Sequence, residues 1–253
     1  QLNNAGTEGY CDGALPEEVL LTNATGAYGL AISEHMIGML FELQKKLNLY
    51  AANQRAHIWK EEGNVRLIEG SRVLVIGLGD IGTAFARKMK GLGCRTVGIK
   101  RREARKPEGV DDLFTLERLE QQLPKADIVA LCLPGYEGTY HMLNEERIAM
   151  LKENAVVLNV GRGMTVDTEA LTKALREGRI AGACLDVTDP EPLPSEHPLW
   201  DMDNVILTPH VSGRFSLPET LEKILNICIE NLECYLVKRP LRNVIDRKTG
   251  YRM

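Results

Sequence analysis

The feature that most constrains the fold is a run of apolar residues leading directly into three closely spaced glycines. Residues 72–76 read Arg-Val-Leu-Val-Ile, and Gly77, Gly79 and Gly82 follow at Gly-x-Gly-x-x-Gly spacing. A nearly continuous apolar run predicts a strand buried on both faces, as in a parallel sheet. Beyond the glycines, apolar residues recur at three- and four-residue steps as far as Gly91, which predicts a helix with one apolar face.

A strand, a glycine turn and a helix together predict a dinucleotide-binding site. Gly77 allows the tight turn, Gly79 lets the backbone approach a pyrophosphate, and Gly82 lets the helix pack closely on the strand. The helix N-terminus, at Asp80 and Ile81, adds unpaired N–H groups and the positive end of the helix dipole. The alternative is a glycine-rich turn without a ligand, which the correct flanks on both sides disfavour.

The rest of the chain alternates apolar strand-like runs with helical patterns. Further strands are predicted at residues 19–22, 96–99, 127–133, 155–160, 182–187 and 205–208. Helices are predicted at residues 33–55, 116–122, 144–151, 167–177 and 217–237, with Ser33 as the N-cap of the first. This alternation predicts an α/β fold with a doubly wound parallel sheet, a Rossmann-like dinucleotide-binding domain over residues 20–212.

Composition and charge argue against several classes of function. The net charge of −4 disfavours nucleic acid and anionic membrane surfaces as partners. The chain has no run of 18 apolar residues, so we expect no membrane-spanning helix. The six cysteines form no Cys-x-x-Cys pair, and we therefore expect reduced thiols, a cytoplasmic location and no metal site.

Polar residues that can perform chemistry follow the ends of the predicted strands. Arg162, Asp186, Glu191 and His210 each lie at or beyond such an end, where ligands bind in open α/β sheets. An arginine can hold a carboxylate, a histidine can transfer a proton, and a glutamate can orient the imidazole. Each alone is compatible with an ordinary turn or surface residue, whereas three in one crevice predict a catalytic site. The other histidines are expected to be structural or exposed: His35, His57, His141 and His197.

Taken together, these segments resemble the D-isomer-specific 2-hydroxyacid dehydrogenases. The matching segments are 73–82, 133–134 with Thr139, 159–163, 185–194 and 208–213. The resemblance spans nearly the whole chain and implies an oxidoreductase that transfers a hydride between NADP(H) and a small 2-hydroxy or 2-oxo acid, in the manner of a glyoxylate or hydroxypyruvate reductase. The alternative is a dinucleotide-sensing, corepressor-like protein of the same fold without turnover, and the intact catalytic residues argue against it.

The resemblance also implies roles for individual residues. Arg162 and Glu191 are implied to be catalytic, His210 to be the proton donor, and Asp186 to contact the nicotinamide carboxamide. Thr139 is implied to lie near the cofactor phosphates. The complete predicted cofactor site comprises Gly77, Gly79, Asp80, Ile81, Gly82, Lys100, Arg101, Arg102, Leu133, Pro134, Thr139, Val160, Gly161, Asp186, His210 and Gly213.

One departure from the family pattern concerns the choice of cofactor. NAD-preferring members carry an acidic residue at the end of the second strand, where this chain has Lys100, followed by Arg101 and Arg102. A carboxylate there accepts hydrogen bonds from ribose hydroxyls, whereas a basic cluster pairs with a 2′-phosphate. The alternative is a solvated charge run, but the position favours NADP over NAD.

A second departure is length, because family members are longer at the N-terminus. We therefore expect an N-terminally truncated chain in which residues 1–19 and 213–253 are the remaining parts of a discontinuous substrate domain. Ala5, Gly6 and Thr7 resemble the loop whose backbone N–H groups bind the substrate carboxylate, with Arg162 as the other substrate residue. The helix at 33–55 is long enough to reach a neighbouring subunit, and the alternative is an ordinary surface helix. It resembles the arm that embraces the partner in the family's dimers, so we expect a homodimer.

Overall fold

A seven-stranded parallel sheet in the order β3-β2-β1-β4-β5-β6-β7 organises the protein. The computed structural model describes residues 1–7, 9–11, 15–16, 18–213, 217–247 and 250. The strands are β1 (Arg72–Ile76), β2 (Arg95–Lys100), β3 (Asp112–Thr115), β4 (Ile128–Leu131), β5 (Val156–Asn159), β6 (Gly182–Leu185) and β7 (Val205–Leu207). All six strand pairings are parallel, which confirms the predicted fold class.

Helices cover both faces of the sheet. They are α1 (Gly29–Gln44), α2 (Leu47–Arg55), α3 (Asp80–Gly91), α4 (Leu119–Gln122), α5 (Glu145–Ala149), α6 (Thr168–Arg176) and α7 (Pro218–Leu236). Val73 and Val75 of β1 belong to the apolar core beneath α1 and α3, whereas Leu74 and Ile76 belong to the core on the opposite face. Successive strand residues point to opposite faces, and both faces are buried, which explains the unbroken apolar run. Among the described helices, none combines the length and hydrophobicity that a bilayer crossing requires.

The register of the sheet brings the strand ends to one edge. Ile76, the last residue of β1, pairs with Ile99 of β2 and Leu131 of β4. In the same register, the last residue of β5 pairs with Leu131 of β4 and Leu185 of β6. The loops that follow these strands therefore meet at a common edge, where the predicted site residues lie.

The first long helix differs from the prediction in its start and its continuity. Ser33 is not an N-cap, because α1 begins four residues earlier and the buried Ser33 hydroxyl donates to the Leu30 carbonyl at 2.9 Å. The N–H of Gly29 is satisfied by Asp80, whose carboxylate accepts it at 2.7 Å, so the start of α1 is capped by another helix. Lys46 has a φ of 57° and separates α1 from α2, where the sequence predicted one helix.

Two strand predictions also need correction. The predicted strand at 19–22 is absent, and only Thr22 makes an isolated antiparallel bridge, to Val244. Leu20 is exposed and has no neighbouring strand to cover it. β3 was not predicted from the sequence; it is a four-residue edge strand whose residues are all only partly buried. Such a strand lacks the apolar run that marks the interior strands.

The two ends of the chain pack together beside the start of α1. The Leu2 N–H donates to the Thr22 carbonyl, and the Ala24 N–H donates to the Asn4 carbonyl. From the other end, Asn243 uses its side-chain amide to donate to the carbonyls of Asn23 and Thr25. These hydrogen bonds join residues on both sides of the predicted domain boundary at residue 20. The domain boundaries at residues 20 and 212 therefore stay predictions.

Candidate functional site

The glycine turn has the backbone geometry that a phosphate cradle requires. Gly77 has a φ of +98°, and a Cβ placed on it would lie 2.6 Å from the Cys132 carbonyl oxygen. A Cβ on Gly82 would lie 2.0 Å from the Gly77 carbonyl oxygen, so the start of α3 packs directly on the turn. Gly79, by contrast, faces open space, with no atom within 4 Å of its ideal Cβ position. The backbone at Gly79 is thus open to an incoming ligand, and α3 begins there without a side-chain cap.

One cavity of about 230 Å³ borders this turn. Its lining includes Gly79, Tyr28, Arg162, Ala5 and Gly6. Asp80, Ile81, Val160 and Gly161 from the predicted cofactor site line it as well. The structure therefore brings the predicted substrate loop and the predicted substrate arginine to one cavity.

A second cavity of about 380 Å³ lies on the other side of the turn. It is lined by the basic cluster of Lys100, Arg101 and Arg102, together with Thr139 and Tyr136. The two cavities share Gly79, Cys132, Leu133 and Pro134, so they meet at the glycine turn. A long ligand with an anionic centre can span both cavities across the N-terminus of α3.

His210 and Glu191 are in direct contact. Imidazole Nδ1 lies 2.6 Å from Glu191 Oε1, and because a carboxylate only accepts, Nδ1 carries the donated proton. This leaves Nε2 as the ring nitrogen that can exchange a proton with a substrate. Both side chains are partly exposed, and the described linings of the two cavities include Arg162 but neither His210 nor Glu191.

The backbone links the Arg162 loop to the His210 loop through β5 and β6. Asn159, at the end of β5, donates its side-chain amide to the Arg162 carbonyl at 3.0 Å and accepts from the Gly161 N–H at 3.1 Å. The Asn159 carbonyl accepts from the Asp186 N–H, and the Asp186 carbonyl accepts from the His210 N–H at 2.8 Å. The predicted catalytic residues therefore stand on one continuous hydrogen-bonded frame.

Asp186 is buried, at 2% exposure, and holds the loop that carries His210. Its carboxylate accepts from the Thr208 hydroxyl at 2.6 Å, from the Val211 N–H at 2.9 Å, and from both the N–H and the hydroxyl of Ser212. Burial alone would raise the pKa of Asp186, but the hydrogen bonds from Ser212, Thr208 and Val211 outweigh it and lower the pKa. The predicted contact of Asp186 with a nicotinamide stays a prediction.

Arg162 reaches the cavity because its neighbours are small. Its Nη1 donates to the Gly161 carbonyl at 2.7 Å. A Cβ on Gly135 would lie 3.0 Å from Arg162 Cγ, and one on Gly161 would lie 2.4 Å from the Leu133 carbonyl oxygen. The missing side chain at Gly135 therefore leaves room for Arg162, and that at Gly161 allows the Leu133 backbone to approach closely.

Two other predicted residues have protein partners. The buried Thr139 hydroxyl donates to the Pro134 carbonyl at 2.7 Å and accepts from the Tyr136 N–H, which leaves little hydrogen-bonding capacity for a phosphate. Gly213 packs near Ile32, whose Cδ1 lies 3.1 Å from its ideal Cβ position.

The predicted substrate loop presents backbone donors more than side chains. Thr7 is buried and its hydroxyl donates to the Gly250 carbonyl at 3.1 Å. Within the described part of the chain, the N–H groups of Ala5, Gly6 and Thr7 have no acceptor. Free N–H groups beside an arginine suit a carboxylate ligand.

Several lining residues were missed by the sequence analysis. Tyr28 lines the first cavity, donates its hydroxyl to the Asn3 carbonyl at 2.5 Å, and has its pKa raised by burial. Cys132 lines both cavities, and burial raises the pKa of its thiol to about 12, so it is a neutral thiol at neutral pH. The local sequence signal before Tyr28 is the turn at Thr25 and Gly26, and a turn does not indicate a binding site.

Comparison with protein families gives one match that covers most of the chain. Residues 37–212 match the model of the D-isomer specific 2-hydroxyacid dehydrogenase, NAD binding domain. A glyoxylate reductase of Thermofilum pendens is 32% identical over 85% of this chain and 64% of its own length. A glyoxylate reductase of Thermococcus onnurineus is 41% identical over 73% of this chain and 56% of its own length. The chain thus spans less than two thirds of both relatives.

Among solved structures, a D-isomer specific 2-hydroxyacid dehydrogenase of Xanthobacter autotrophicus in complex with NADPH and MES is similar throughout. It superposes with a TM-score of 0.85 at 33% sequence identity, covering 98% of this chain and 77% of that one. The parallel sheet and the loops at its edge therefore have a counterpart in a structure that holds NADPH.

Proposed function

Since the chain belongs to the D-isomer specific 2-hydroxyacid dehydrogenase family, we propose that it reduces a small 2-oxo acid with NADPH, or runs the reverse oxidation. The observation that carries this proposal is the contact of His210 with Glu191 at the sheet edge where the glycine turn and Arg162 also lie. An imidazole with one nitrogen fixed by a carboxylate is a suitable proton donor for an alcohol oxygen. The named relatives are glyoxylate reductases, which supports a substrate of that size.

The residues present fit a bound NADP. The open backbone at Gly79 and the uncapped start of α3 suit the pyrophosphate, and Lys100, Arg101 and Arg102 suit the 2′-phosphate across the shared cavity edge. When bound, the cofactor would supply the hydride. The preference for NADP over NAD is supported by the basic cluster and by the NADPH complex of the Xanthobacter structure.

The substrate side of the site is built to hold a carboxylate and a carbonyl. Ala5, Gly6 and Arg162 line one cavity, and the N–H groups of Ala5 and Gly6 have no acceptor in the described part of the chain, so a 2-oxo acid can be held there through its carboxylate. A guanidinium near the 2-oxo group also stabilises the negative charge that develops on that oxygen during reduction. His210 Nε2 then supplies the proton to that oxygen, and Glu191 keeps the ring oriented.

We also propose that the protein forms a homodimer through α2 and the residues that follow it. Leu47, Ile58 and Trp59 are exposed there, and Trp59 is fully solvated. Aromatic side chains in such positions are common anchors of protein interfaces. The proposal of a reducing, cytoplasmic location is supported by all six cysteines being free.

The direct test combines cofactor binding with turnover. Calorimetric titration with NADPH and with NADH gives the two dissociation constants, and we expect NADPH to bind more tightly. NADPH oxidation is then followed with glyoxylate, hydroxypyruvate and pyruvate, and we expect turnover with at least one of them. The same assay on a form extended at its N-terminus to the length of the relatives allows for the expected truncation of the substrate domain. Tight NADPH binding without reduction of any 2-oxo acid in both forms would refute the enzymatic proposal and favour a dinucleotide-sensing role.

A further inference from the structure

His35 lies outside the predicted site, yet it contacts the loop that carries His210. It is part of α1, and its Nε2 lies 3.0 Å from the Thr208 hydroxyl oxygen, 173 residues away in sequence. The same ring nitrogen lies 3.8 Å from the Asp186 carboxylate. The contact is therefore tertiary, between a helix on one face of the sheet and the loop after β7.

The direction of each hydrogen bond follows from the partners. The Thr208 hydroxyl has one proton, and the buried Asp186 carboxylate 2.6 Å away is its strongest acceptor. The hydroxyl oxygen must then accept from His35, so His35 carries its proton on Nε2. Hydrogen bonds joined through one hydroxyl polarise and strengthen each other. A chain of donors thus runs from His35 through Thr208 to Asp186.

This chain of hydrogen bonds ends beside the backbone of His210, which is strained. His210 has a φ of +51°, a conformation that is strained for a residue with a side chain. Its N–H donates to the Asp186 carbonyl and to the Thr208 carbonyl, at 2.8 and 3.0 Å. The two residues that hold the His210 backbone are the same two that receive the His35 interaction, directly or through the hydroxyl.

We propose that His35 is a positioning residue for the reaction: it fixes the Thr208 hydroxyl, and through it the loop that directs His210 toward Glu191. This rests on the proposed function in taking His210 as the proton donor. His35 is not among the described residues that line the two cavities. Its effect is on the orientation of the His210 ring.

The first experiment is a double-mutant cycle on turnover. His35→Phe keeps an aromatic ring but removes the donor, and we expect kcat for NADPH-dependent 2-oxo acid reduction to fall on the order of tenfold, with a much smaller change in the NADPH dissociation constant. His35→Gln places an amide N–H near the position of Nε2 and should restore most of the loss. Thr208→Val should lower kcat as well, and adding His35→Phe to it should have no further effect, because both changes break the same chain.

The second experiment reads the His210 ring directly and does not depend on turnover. The proton between His210 Nδ1 and Glu191 is followed by NMR on histidine-labelled protein, and the five histidines are resolved by assigning His210 with a His210→Gln variant. In His35→Phe we expect the chemical shift of this proton to move in the same direction as it does in Glu191→Gln, or its line to broaden. His35→Gln should return it toward the wild-type position.

Ser33→Ala is the matched control, since it removes a side-chain hydrogen bond from α1 that does not reach the His210 loop. It should leave both kcat and the His210 resonance unchanged. Normal kcat together with an unchanged resonance in His35→Phe would overturn the proposal, as would additive losses in the double mutant. If neither the wild-type chain nor the form extended at its N-terminus reduces a 2-oxo acid, the proposed function fails, and the resonance still decides whether His35 positions His210.

Discussion

At the scale of single residues, the His210 side chain is the most exacting test of the proposed chemistry. Its Nδ1 is occupied by Glu191 at 2.6 Å, so only Nε2 can exchange a proton with a substrate. Arg162 has a different task, because it lines the cavity beside the free N–H groups of Ala5 and Gly6. Loss of the two side chains should therefore have different kinetic signatures.

For His210→Ala, we expect kcat to fall about 10²–10⁴-fold, the usual contribution of a positioned acid–base group. Arg162→Ala should instead raise KM for the 2-oxo acid as well as lower kcat, because it loses a carboxylate partner and charge stabilisation. Steady-state kinetics at several 2-oxo acid concentrations separates the two patterns. Near-normal turnover by the His210→Ala variant would show that His210 is not the proton donor.

Cofactor choice is the second property that single residues decide. Lys100→Asp combined with Arg101→Ala should weaken NADPH binding and move preference toward NADH, because a carboxylate at the end of β2 repels a 2′-phosphate and accepts from ribose hydroxyls. The wild-type preference for NADPH should also decrease as salt rises. Titration calorimetry with both cofactors measures the change.

The control for this prediction is Lys106→Asp, which makes the same lysine-to-aspartate change outside the second cavity, where Lys106 donates to the Asp111 carbonyl. Its ratio of NADPH to NADH affinity should match the wild type. Equal affinities for the two cofactors in the unaltered protein would contradict the NADP assignment.

Residues at strand ends were predictable, whereas residues on helices were not. The sequence analysis placed Arg162, Glu191 and His210 at the sheet edge because one rule relates strand order to ligand position. No comparable rule says which helix side chain reaches that edge. Tyr28 and His35 depend on how α1 crosses the sheet, and that crossing is a property of the packed structure.

At the scale of elements, two aspartates bind backbone N–H groups at the amino ends of the neighbouring strands β2 and β1. Asp111, just before β3, accepts from the Thr96 N–H at 2.9 Å and from Lys90 Nζ at 2.5 Å. Asp127, just before β4, accepts from the Arg72 N–H at 2.9 Å and from Lys152 Nζ at 2.8 Å. Each carboxylate completes the strand ladder at the edge opposite the site.

These contacts predict how stability depends on pH. The Lys90 and Thr96 hydrogen bonds lower the pKa of Asp111 from 3.8 to about 2 in the folded protein. A lowered folded pKa means that Asp111 contributes stability above pH 3.8, and that this contribution is lost as pH falls toward 2. Allowing for solvent screening, we expect roughly 1 kcal/mol from this group.

Urea unfolding of the wild type and of Asp111→Asn at pH 6 and near pH 2.5 measures this contribution. The free energy of unfolding should fall less between the two pH values in the variant than in the wild type. Glu145→Gln is the control, since it removes an exposed carboxylate paired with Lys173. An equal fall in wild type and Asp111→Asn would contradict the assignment.

The element boundaries that sequence analysis missed share one cause. The start of α1 is set by a carboxylate 51 residues away, and β3 is a partly buried edge strand that pairs only with β2. Both depend on neighbours that are distant in sequence. The interior strands and α6, whose N-cap Asp167 accepts from the Ala170 N–H at 3.0 Å, carry their signals locally and were predicted.

At the scale of the whole molecule, the exposed apolar residues after α2 predict self-association. Ile58→Asp with Trp59→Asp should weaken the dimer by roughly 30-fold or more, since an aromatic anchor at an interface is typically worth ~2 kcal/mol. Sedimentation velocity over a range of concentrations measures the change, and the far-ultraviolet circular dichroism spectrum should match the wild type, which shows that the variant is folded. Met150→Asp, an exposed apolar site after α5, is the control and should not alter association.

A single helix joins the two halves of the proposed reaction centre. The first N–H of α1 is held by Asp80, the residue directly after Gly79, and His35 contacts Thr208 six residues further along α1. A ligand that settles on the glycine turn and orders Asp80 therefore also orders the helix that bears on the proton donor. Thermodynamic reciprocity then requires the converse, that a well-ordered His210 loop tightens the grip on the dinucleotide. Cofactor affinity and proton transfer by His210 are thus coupled through α1. A substitution on α1 that contacts neither ligand is expected to change both.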